Sequence, residues 1–183
     1  SEKIVHHLHV PLQSGSNNIL KKMNRKYTTK EYYEHLLKIK SYLPDVAFTT
    51  DVIVGFPGES EEDFLEAYNF IKSCNFQELH VFPYSRRKGT VADKLPDQID
   101  GKIKKERVHK LLSLSDELLN KHLKESLGKV KLVIAEQAKE GFIVGHSRDY
   151  ISVKFKGNNS LLGQEVKVKI LDATKPYALA ELL

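Results

Sequence analysis

The stretch Asp51-Val52-Ile53-Val54-Gly55-Phe56-Pro57-Gly58-Glu59 decides the fold of this chain. It predicts a buried strand over residues 46–54 that runs into a tight loop of glycine and proline, after which Ser60 caps a helix. A strand that delivers an acid at its carboxyl end, followed by glycines that let a ligand approach the backbone, is typical of a site on a parallel α/β sheet. Residues 8–16 predict a second strand with a similar polar turn, and we expect both turns to face one ligand.

The composition limits the classes of protein that the chain can belong to. It has 183 residues, of which 40% are hydrophobic, and a net charge of +5. This charge is compatible with a nucleic-acid partner but does not identify one. One cysteine, Cys74, excludes an internal disulfide and a multi-cysteine metal site, and it fits a reducing compartment, so we expect a cytoplasmic location. No apolar run approaches membrane-spanning length, so we expect no membrane partner.

The first part of the chain predicts three strand–helix units. The predicted strands are residues 4–10, 46–54 and 78–84, and the predicted helices are residues 17–24, 28–43, 60–73 and 102–126. The apolar faces of the last three helices are predicted to be Tyr33/Leu36/Leu37/Lys40, Phe64/Ala67/Tyr68/Ile71 and Val108/Leu111/Leu112/Ser115/Leu118/Leu119/His122. Three units leave the strand at 4–10 with a bare edge. We therefore expect a fragment that lacks the amino-terminal half of a barrel and that self-associates through this edge.

After Gly128 the hydrophobic period changes from 3.6 to two residues. Five short strands are predicted, with apolar positions at Val130/Leu132/Ile134, Phe142/Val144, Ile151/Val153/Phe155, Val166/Val168/Ile170 and Ala178/Ala180/Leu182. Five short strands in so few residues predict a small closed antiparallel barrel of a type that often binds nucleic acid. The predicted domains are therefore residues 1–126 and residues 127–183.

Polar residues collect at the predicted strand ends. Gln13 follows the first strand, Arg25 follows the first helix, Asp51 ends the second strand and Ser85 follows the third. One carboxylate, one amide and one arginine on the same rim suit a ligand with ribose hydroxyls and a carboxylate, because Asp or Gln can bracket a diol and Arg can grip a carboxylate with two hydrogen bonds.

Three motifs carry a resemblance to a known family. They are His7-Leu8-His9-Val10-Pro11-Leu12-Gln13-Ser14-Gly15-Ser16, Met23-Asn24-Arg25-Lys26-Tyr27-Thr28, and the stretch from Asp51 to Glu59. Together they resemble the radical S-adenosylmethionine methylthiotransferases, and the closing barrel resembles their RNA-binding TRAM domain. His80-Val81-Phe82-Pro83 and Tyr84-Ser85-Arg86-Arg87 resemble the branch that adds a methylthio group to C2 of N6-threonylcarbamoyladenosine at position 37 of tRNA.

The resemblance implies a fold, a site and cofactors. The fold is the second half of a partial, TIM-like (β/α) barrel with parallel strands, followed by a TRAM, OB-like barrel. Gln13 and Asp51 are implied to hold the ribose of S-adenosylmethionine, Arg25 its carboxylate, and Ile53 and Ser85 its adenine, with Ser14 and Gly55 also at this cofactor. The family also carries two [4Fe-4S] clusters on cysteines. Those cysteines are absent here, so we expect this fragment to be inactive alone.

Several residues have plainer interpretations. Asp51 could only cap a neighbouring loop, Arg25 could form a surface ion pair, and Gly55 could only shape the turn. His7 and His9 could be a metal pair, but packed or hydrogen-bonded histidines are favoured because no third ligand has suitable spacing. Two interpretations remain open for Arg86, Arg87 and Lys88: they could belong to a solvated loop, or they could contact RNA phosphates. Lys154 and Lys156 could likewise lie on the solvent-exposed face of a strand or bind RNA.

Alternatives also remain open for the function. Within the family, the substrate could instead be isopentenyladenosine in tRNA or an aspartate of a ribosomal protein. From another class, the chain could work only as a stand-alone RNA-binding module, or as a nucleotide-binding α/β domain of another kind. The last has little support, because the loop at Gly55 and Gly58 lacks the further glycine and the Lys-Ser/Thr of a phosphate loop.

Overall fold

The computed structural model describes residues 4–183, with Thr174 described only in its backbone, and the chain forms two compact units. The first unit consists of His9–Pro44 and Phe48–Leu118. The second consists of Leu119–Leu183, with residues 4–8 and Asp45–Ala47. No helix within residues 4–183 is long and apolar enough to cross a membrane. The domain boundary predicted at residues 126 and 127 stays a prediction.

Three strands form the sheet that the sequence predicts: β1 (His7–His9), β2 (Ala47–Val54) and β3 (Glu78–Pro83), in the order β1-β2-β3. Strands β2 and β3 are parallel, with Thr49 opposite Glu78 and Val54 opposite Pro83. Strand β1 is shorter than the predicted 4–10. At its carboxyl end the ladder stops because Pro11 has no N–H group to continue it. The prediction of parallel strands in a partial barrel is confirmed.

Four helices accompany this sheet: α1 (Asn17–Lys22), α2 (Thr29–Tyr42), α3 (Glu61–Cys74) and α4 (Gly101–Glu125). Helices α2 and α3 begin with complete capping boxes, Thr28 with Glu31 and Ser60 with Asp63. Ser16 is the N-cap of α1, but its side chain makes no capping hydrogen bond and donates to Asp63 Oδ1 instead.

The two faces of the sheet differ in burial. Towards the end of β2, Val52 and Val54 are buried whereas Asp51 and Ile53 are half-buried. The helices cover the Val52 face. There the main-chain N–H of Leu79 in β3 donates to Ser115 Oγ of α4 at 2.9 Å, and the core on this side includes Phe48, Phe64, Ile71, Leu111 and Leu114. Because successive strand residues alternate between faces, Asp51 and Ile53 lie on the uncovered face.

The predicted helix faces are partly wrong. In α2 the buried aromatic residue is Tyr32 rather than Tyr33, and Leu37 is 50% exposed. In α3 the stripe is confirmed at Phe64, Ala67 and Ile71 but not at Tyr68, which is half-buried. In α4, Leu112 is exposed and Arg107 is buried. These helices carry apolar residues on more than one face. A period of 3.6 therefore does not reveal which apolar residues lie at the surface, nor which polar residues are buried.

Five strands close into a barrel in the second unit: β4 (Val130–Lys139), β5 (Phe142–Ser147), β6 (Ser152–Lys156), β7 (Glu165–Thr174) and β8 (Tyr177–Leu182). Their order is β4-β5-β6-β8-β7, and β7 pairs with β4 to close it. The number of strands and the closure are confirmed. The barrel is mixed rather than fully antiparallel, because β6 and β8 run parallel. Sequence patterns do not encode this pairing, since β7 lies between those two strands in the chain.

The inward face was predicted correctly for β6 and β7 and wrongly for β4 and β5. Val133 and Ala135 fill the core from β4, while Val130 and Ile134 are about half exposed. The run from Val130 to Ala135 is almost wholly apolar, so it has no clear period, and a register shift follows Ala135. In β5 the core residues are Ile143 and Gly145. A Cβ at Gly145 would lie 1.8 Å from the Ile134 carbonyl oxygen, so this position requires glycine.

A buried ion pair fastens the loop after β2 to α4. Arg107 Nη1 lies 2.6 Å from Glu59 Oε2, and the two side chains are 5% and 2% exposed. Arg107 also donates to the Glu59 main-chain oxygen, and the Gly55 N–H donates to Glu59 Oε2 at 2.7 Å. Burial raises the pKa of the Glu59 carboxyl, against the Gly55 hydrogen bond and the Arg107 guanidinium, which lower it. The carboxylate is therefore tolerated inside because Arg107 accompanies it.

We expect Arg107→Ala to destabilise the first unit by about 3–5 kcal/mol, because it leaves Glu59 buried without its counter-charge. Native-state amide hydrogen exchange in β2 measures this free energy. The control is Arg87→Ala, which removes the same charge from an exposed position and should change stability by less than about 0.5 kcal/mol. A loss below about 1 kcal/mol in Arg107→Ala would show that the ion pair does not hold this loop.

Candidate functional site

Two main-chain hydrogen bonds bring the Gln13 turn and the Asp51 strand together. The Gln13 N–H donates to the Asp51 carbonyl at 2.8 Å, and the Ile53 N–H donates to the Gln13 carbonyl at 2.8 Å. Gln13 has a φ of 70°, and the N–H of the next residue, Ser14, donates to the Leu12 carbonyl. This is a three-residue turn in a rare, strained conformation of the kind found at functional sites. Gln13 therefore lies at the end of β2, beside Asp51 and Val52.

The other residues of the Gln-Ser-Gly-Ser motif hold this turn in place. Ser14 is buried, and its Oγ accepts from the Ser16 N–H. A Cβ at Gly15 would lie 2.7 Å from the Ala67 carbonyl oxygen of α3, so glycine allows close packing there. Burial raises the pKa of the Asp63 carboxyl, but hydrogen bonds from Ser60, Asn18 and Ser16 hold it below its usual value. Of the predicted residues in this motif, Gln13 is the one left accessible.

The uncovered face of the sheet carries two histidines that the sequence analysis did not assign to the site. His9 Nε2 lies 3.4 Å from Asp51 Oδ2. His80 stands opposite Asp51 in the parallel register, and its ring centroid is 5.4 Å from that of His9. The signal that could have found them is the strand period of two, which places these residues on the Asp51 face. We call this face, with His9, Asp51, Ile53, His80 and Phe82, the open face, and the main chain of Gln13 adjoins it at the edge of β2.

The glycine loop after β2 serves the fold. Gly55 is buried, with a φ of 72°, and a Cβ there would lie 2.1 Å from Lys104 Cγ. Its N–H already donates to Glu59. Gly55 therefore shapes the loop, and its predicted contact with a ligand stays a prediction.

Arg25 and Ser85 lie at the surface, and no described contact joins either to Gln13 or Asp51. Arg25 follows α1 and is exposed. Ser85 follows β3 and lines an open cleft of about 630 Å³ with Tyr84, Lys104 and Lys105. The structure thus brings Gln13, Asp51 and Ile53 together and leaves the predicted contacts of Arg25 and Ser85 as predictions.

The basic loop after β3 is partly engaged within the chain. Arg86 Nε donates to Asp93 Oδ1 and Nη2 donates to the Asp93 carbonyl, both at 2.7 Å. The hydrogen bond from Arg86 lowers the pKa of the Asp93 carboxyl. Arg87 and Lys88 are exposed. Of the three basic residues considered for RNA contact, Arg86 is therefore already engaged in hydrogen bonds that close its own loop.

The barrel presents basic side chains on its outer surface. Lys154 Nζ lies 4.5 Å from the centroid of the Phe142 ring, and Lys156 stands opposite Phe142 in the strand register. Phe155, one of the predicted apolar positions of β6, is buried in the core. Tyr150 stacks on His146 and on His7, with ring centroids 4.7 and 4.6 Å apart. The plainer interpretation of His7 as a packed residue fits this contact.

An iron–sulfur cluster does not fit the residues of this chain. Cys74, its one cysteine, is buried in α3, and burial raises the pKa of its thiol to about 12. Cluster ligands are thiolates, which this environment disfavours. Within residues 4–183 there is also no group of three or more His, Cys, Asp or Glu side chains that could hold a metal ion. The ribose of S-adenosylmethionine does fit, because the accessible Asp51 carboxylate lies next to the half-buried Gln13 turn.

Comparison with known proteins agrees with this arrangement. Residues 1–71 match the radical SAM superfamily, and residues 126–183 match the TRAM domain. The chain is thus similar to part of a radical SAM domain near its amino-terminal end and to a TRAM domain at its carboxyl-terminal end. The predicted resemblance to the methylthiotransferases is confirmed. The TRAM match covers the closed barrel, and the radical SAM match covers both the Gln13 turn and strand β2, which carries Asp51.

The relatives are tRNA methylthiotransferases. The chain is 51% identical over 182 residues to threonylcarbamoyladenosine tRNA methylthiotransferase MtaB of Bacillus subtilis, which covers 97% of the chain and 40% of that protein. It is 42% identical over 181 residues to tRNA-2-methylthio-N(6)-dimethylallyladenosine synthase of Thermoanaerobacter sp. (strain X514), covering 97% and 38%. The enzyme of that name from Pelotomaculum thermopropionicum is 40% identical over 176 residues, covering 94% and 39%. The chain spans about two-fifths of the length of these relatives.

Proposed function

We propose that this chain provides part of the S-adenosylmethionine site and the RNA-binding barrel of a tRNA methylthiotransferase that modifies N6-threonylcarbamoyladenosine at position 37. The observation that carries the proposal is that paired main-chain hydrogen bonds bring the Gln13 turn next to Asp51 at the edge of β2. The radical SAM and TRAM matches support the enzyme class.

In this proposal the residues of the open face bind and orient the cofactor. The Asp51 carboxylate accepts hydrogen bonds from the ribose hydroxyls, and the Gln13 carboxamide brackets the same diol. Ile53, two residues after Asp51 on the same face, contacts the adenine, Arg25 binds the methionyl carboxylate, and Ser85 borders the adenine. Bound S-adenosylmethionine supplies the radical chemistry and the methyl group of this enzyme class.

The substrate branch rests on the relatives and on one motif. The Bacillus subtilis relative, whose name gives threonylcarbamoyladenosine, is 51% identical, against 42% and 40% for the two dimethylallyladenosine enzymes. Tyr84-Ser85-Arg86-Arg87 points the same way. The alternative is methylthiolation of isopentenyladenosine in tRNA, which the names of those two relatives favour. Methylthiolation of an aspartate of a ribosomal protein is a further alternative.

We place the RNA on the basic outer surface of the barrel, around Lys154 and Lys156, with Arg87 and Lys88 as further phosphate contacts. Phe142 lies under Lys154 and adds an aromatic surface there. Lysine on a strand face binds phosphate without reading sequence, so this surface would position the tRNA and would not select the nucleoside.

In this proposal the two iron–sulfur clusters of the family are bound by cysteines that lie outside this chain. The chain by itself is therefore inactive. The support is the single buried cysteine and the two-fifths coverage of the relatives. The missing amino-terminal half of the barrel would then cover the open face. Self-association through the β1 edge and a cytoplasmic location stay predictions.

Nucleoside mass spectrometry of tRNA tests the activity. Source cells that lack the full-length gene should lose methylthiolated threonylcarbamoyladenosine, and the wild-type gene should restore it. A gene with Asp51→Asn should fail to restore it, whereas Asp45→Asn, the same change at an exposed position, should succeed. Loss of the methylthiolated isopentenyl nucleoside instead would refute the branch, and an unchanged tRNA would refute the function.

Salt-dependent tRNA binding tests the RNA surface. Lys154→Ala with Lys156→Ala should weaken binding of tRNA to this chain and lower the slope of log affinity against log salt by about one for each phosphate that the variant no longer neutralises. Lys30→Ala with Lys38→Ala removes the same charge from exposed positions on α2 and should leave the slope unchanged. Equal weakening in both pairs would show that only net charge matters.

A further inference from the structure

His9 links two residues of β2. Its Nδ1 lies 3.0 Å from Thr49 Oγ1, and its Nε2 lies 3.4 Å from Asp51 Oδ2. The two ring nitrogens therefore have different partners on the same strand. The shorter distance is that of a hydrogen bond, and the longer one lies within ion-pair range.

The fold fixes the imidazole between these partners. Thr49 and Asp51 are two residues apart on β2, so their side chains stand on the same face. The Val10 N–H donates to the Thr49 carbonyl at 2.9 Å, which sets the register of the chain around His9. Thr49 is buried, with 2% of its surface exposed, so its hydroxyl offers a stable anchor for the ring.

The arrangement leaves one carboxylate oxygen of Asp51 available. Oδ2 faces His9 Nε2, and across residues 4–183 Asp51 Oδ1 has no hydrogen-bond partner. The Asp51 side chain is 31% exposed. A carboxylate held through one oxygen has fewer rotamers to lose when the other oxygen accepts a hydrogen bond from a ligand, so the binding free energy improves.

We propose that His9 is a positioning residue: anchored by Thr49, it holds the Asp51 carboxylate so that Oδ1 accepts from the vicinal diol of an adenosyl ligand. This deepens the proposed function and rests on it, because the ligand is the ribose of S-adenosylmethionine. Nothing in the resemblance assigned His9 to this site.

The test measures ligand affinity by NMR titration of this chain with S-adenosylmethionine, and with adenosine and 2′,3′-dideoxyadenosine as probes with and without the diol. His9→Phe should weaken S-adenosylmethionine and adenosine about tenfold, the size expected for a hydrogen bond to a charged group. The dideoxy probe should be unaffected. His9→Gln, whose amide can still donate to Asp51, should recover most of the affinity.

A double-mutant cycle separates positioning from a general structural role. In an Asp51→Asn background, His9→Phe should weaken binding no further, because it acts through the carboxylate. His35→Phe, the same change at an exposed position on α2, is the control and should leave all affinities unchanged. Amide shifts in β2 of the unliganded variants should stay close to those of the wild type, which shows that the strand is intact.

The outcomes distinguish this inference from the function on which it rests. Wild-type affinity in His9→Phe, additive effects with Asp51→Asn, or equal weakening of the dideoxy probe would each overturn the role of His9 while the cofactor site stands. Absence of S-adenosylmethionine binding to the wild-type chain would overturn the inference, which requires this chain to hold the ribose, whereas the tRNA measurement in source cells decides the function separately.

Discussion

The main-chain exchange between Gln13 and β2 is the constraint on which the first unit depends. Gln13 donates to the Asp51 carbonyl and accepts from the Ile53 N–H. This single residue therefore continues the pairing with β2 beyond the end of β1. A single left-handed residue makes this bend, and the buried contacts of Gly15 with α3 and of Ser16 with Asp63 hold it. Two motifs almost 40 positions apart in the chain thus share one edge of a strand.

The same constraint explains why the sheet has one covered and one uncovered face. Helices bury Val52 and Val54, while the alternation along β2 turns Asp51 and Ile53 the other way. Glu59 fastens the loop after β2 to α4, because it accepts hydrogen bonds from both Arg107 and the Gly55 N–H.

The sequence predicted what local chemistry determines. The predicted Ser60 cap placed the start of α3, the change of period located the barrel, and the motifs located Gln13 and Asp51. It could not predict pairings between distant residues: Glu59 with Arg107, 48 positions apart, or His9 with Thr49, 40 apart. The apolar run at Val130 hid which face of β4 points inward, and no pattern marks β6 and β8 as parallel neighbours.

The central claim is that the open face binds the cofactor. A crystal structure of the full-length protein with S-adenosylmethionine bound tests it most directly. We predict ribose hydroxyls within hydrogen-bonding distance of the Asp51 carboxylate and the Gln13 carboxamide, on the side of the sheet away from α3 and α4. A cofactor bound elsewhere, with Asp51 and Gln13 making no contact to it, would contradict the account.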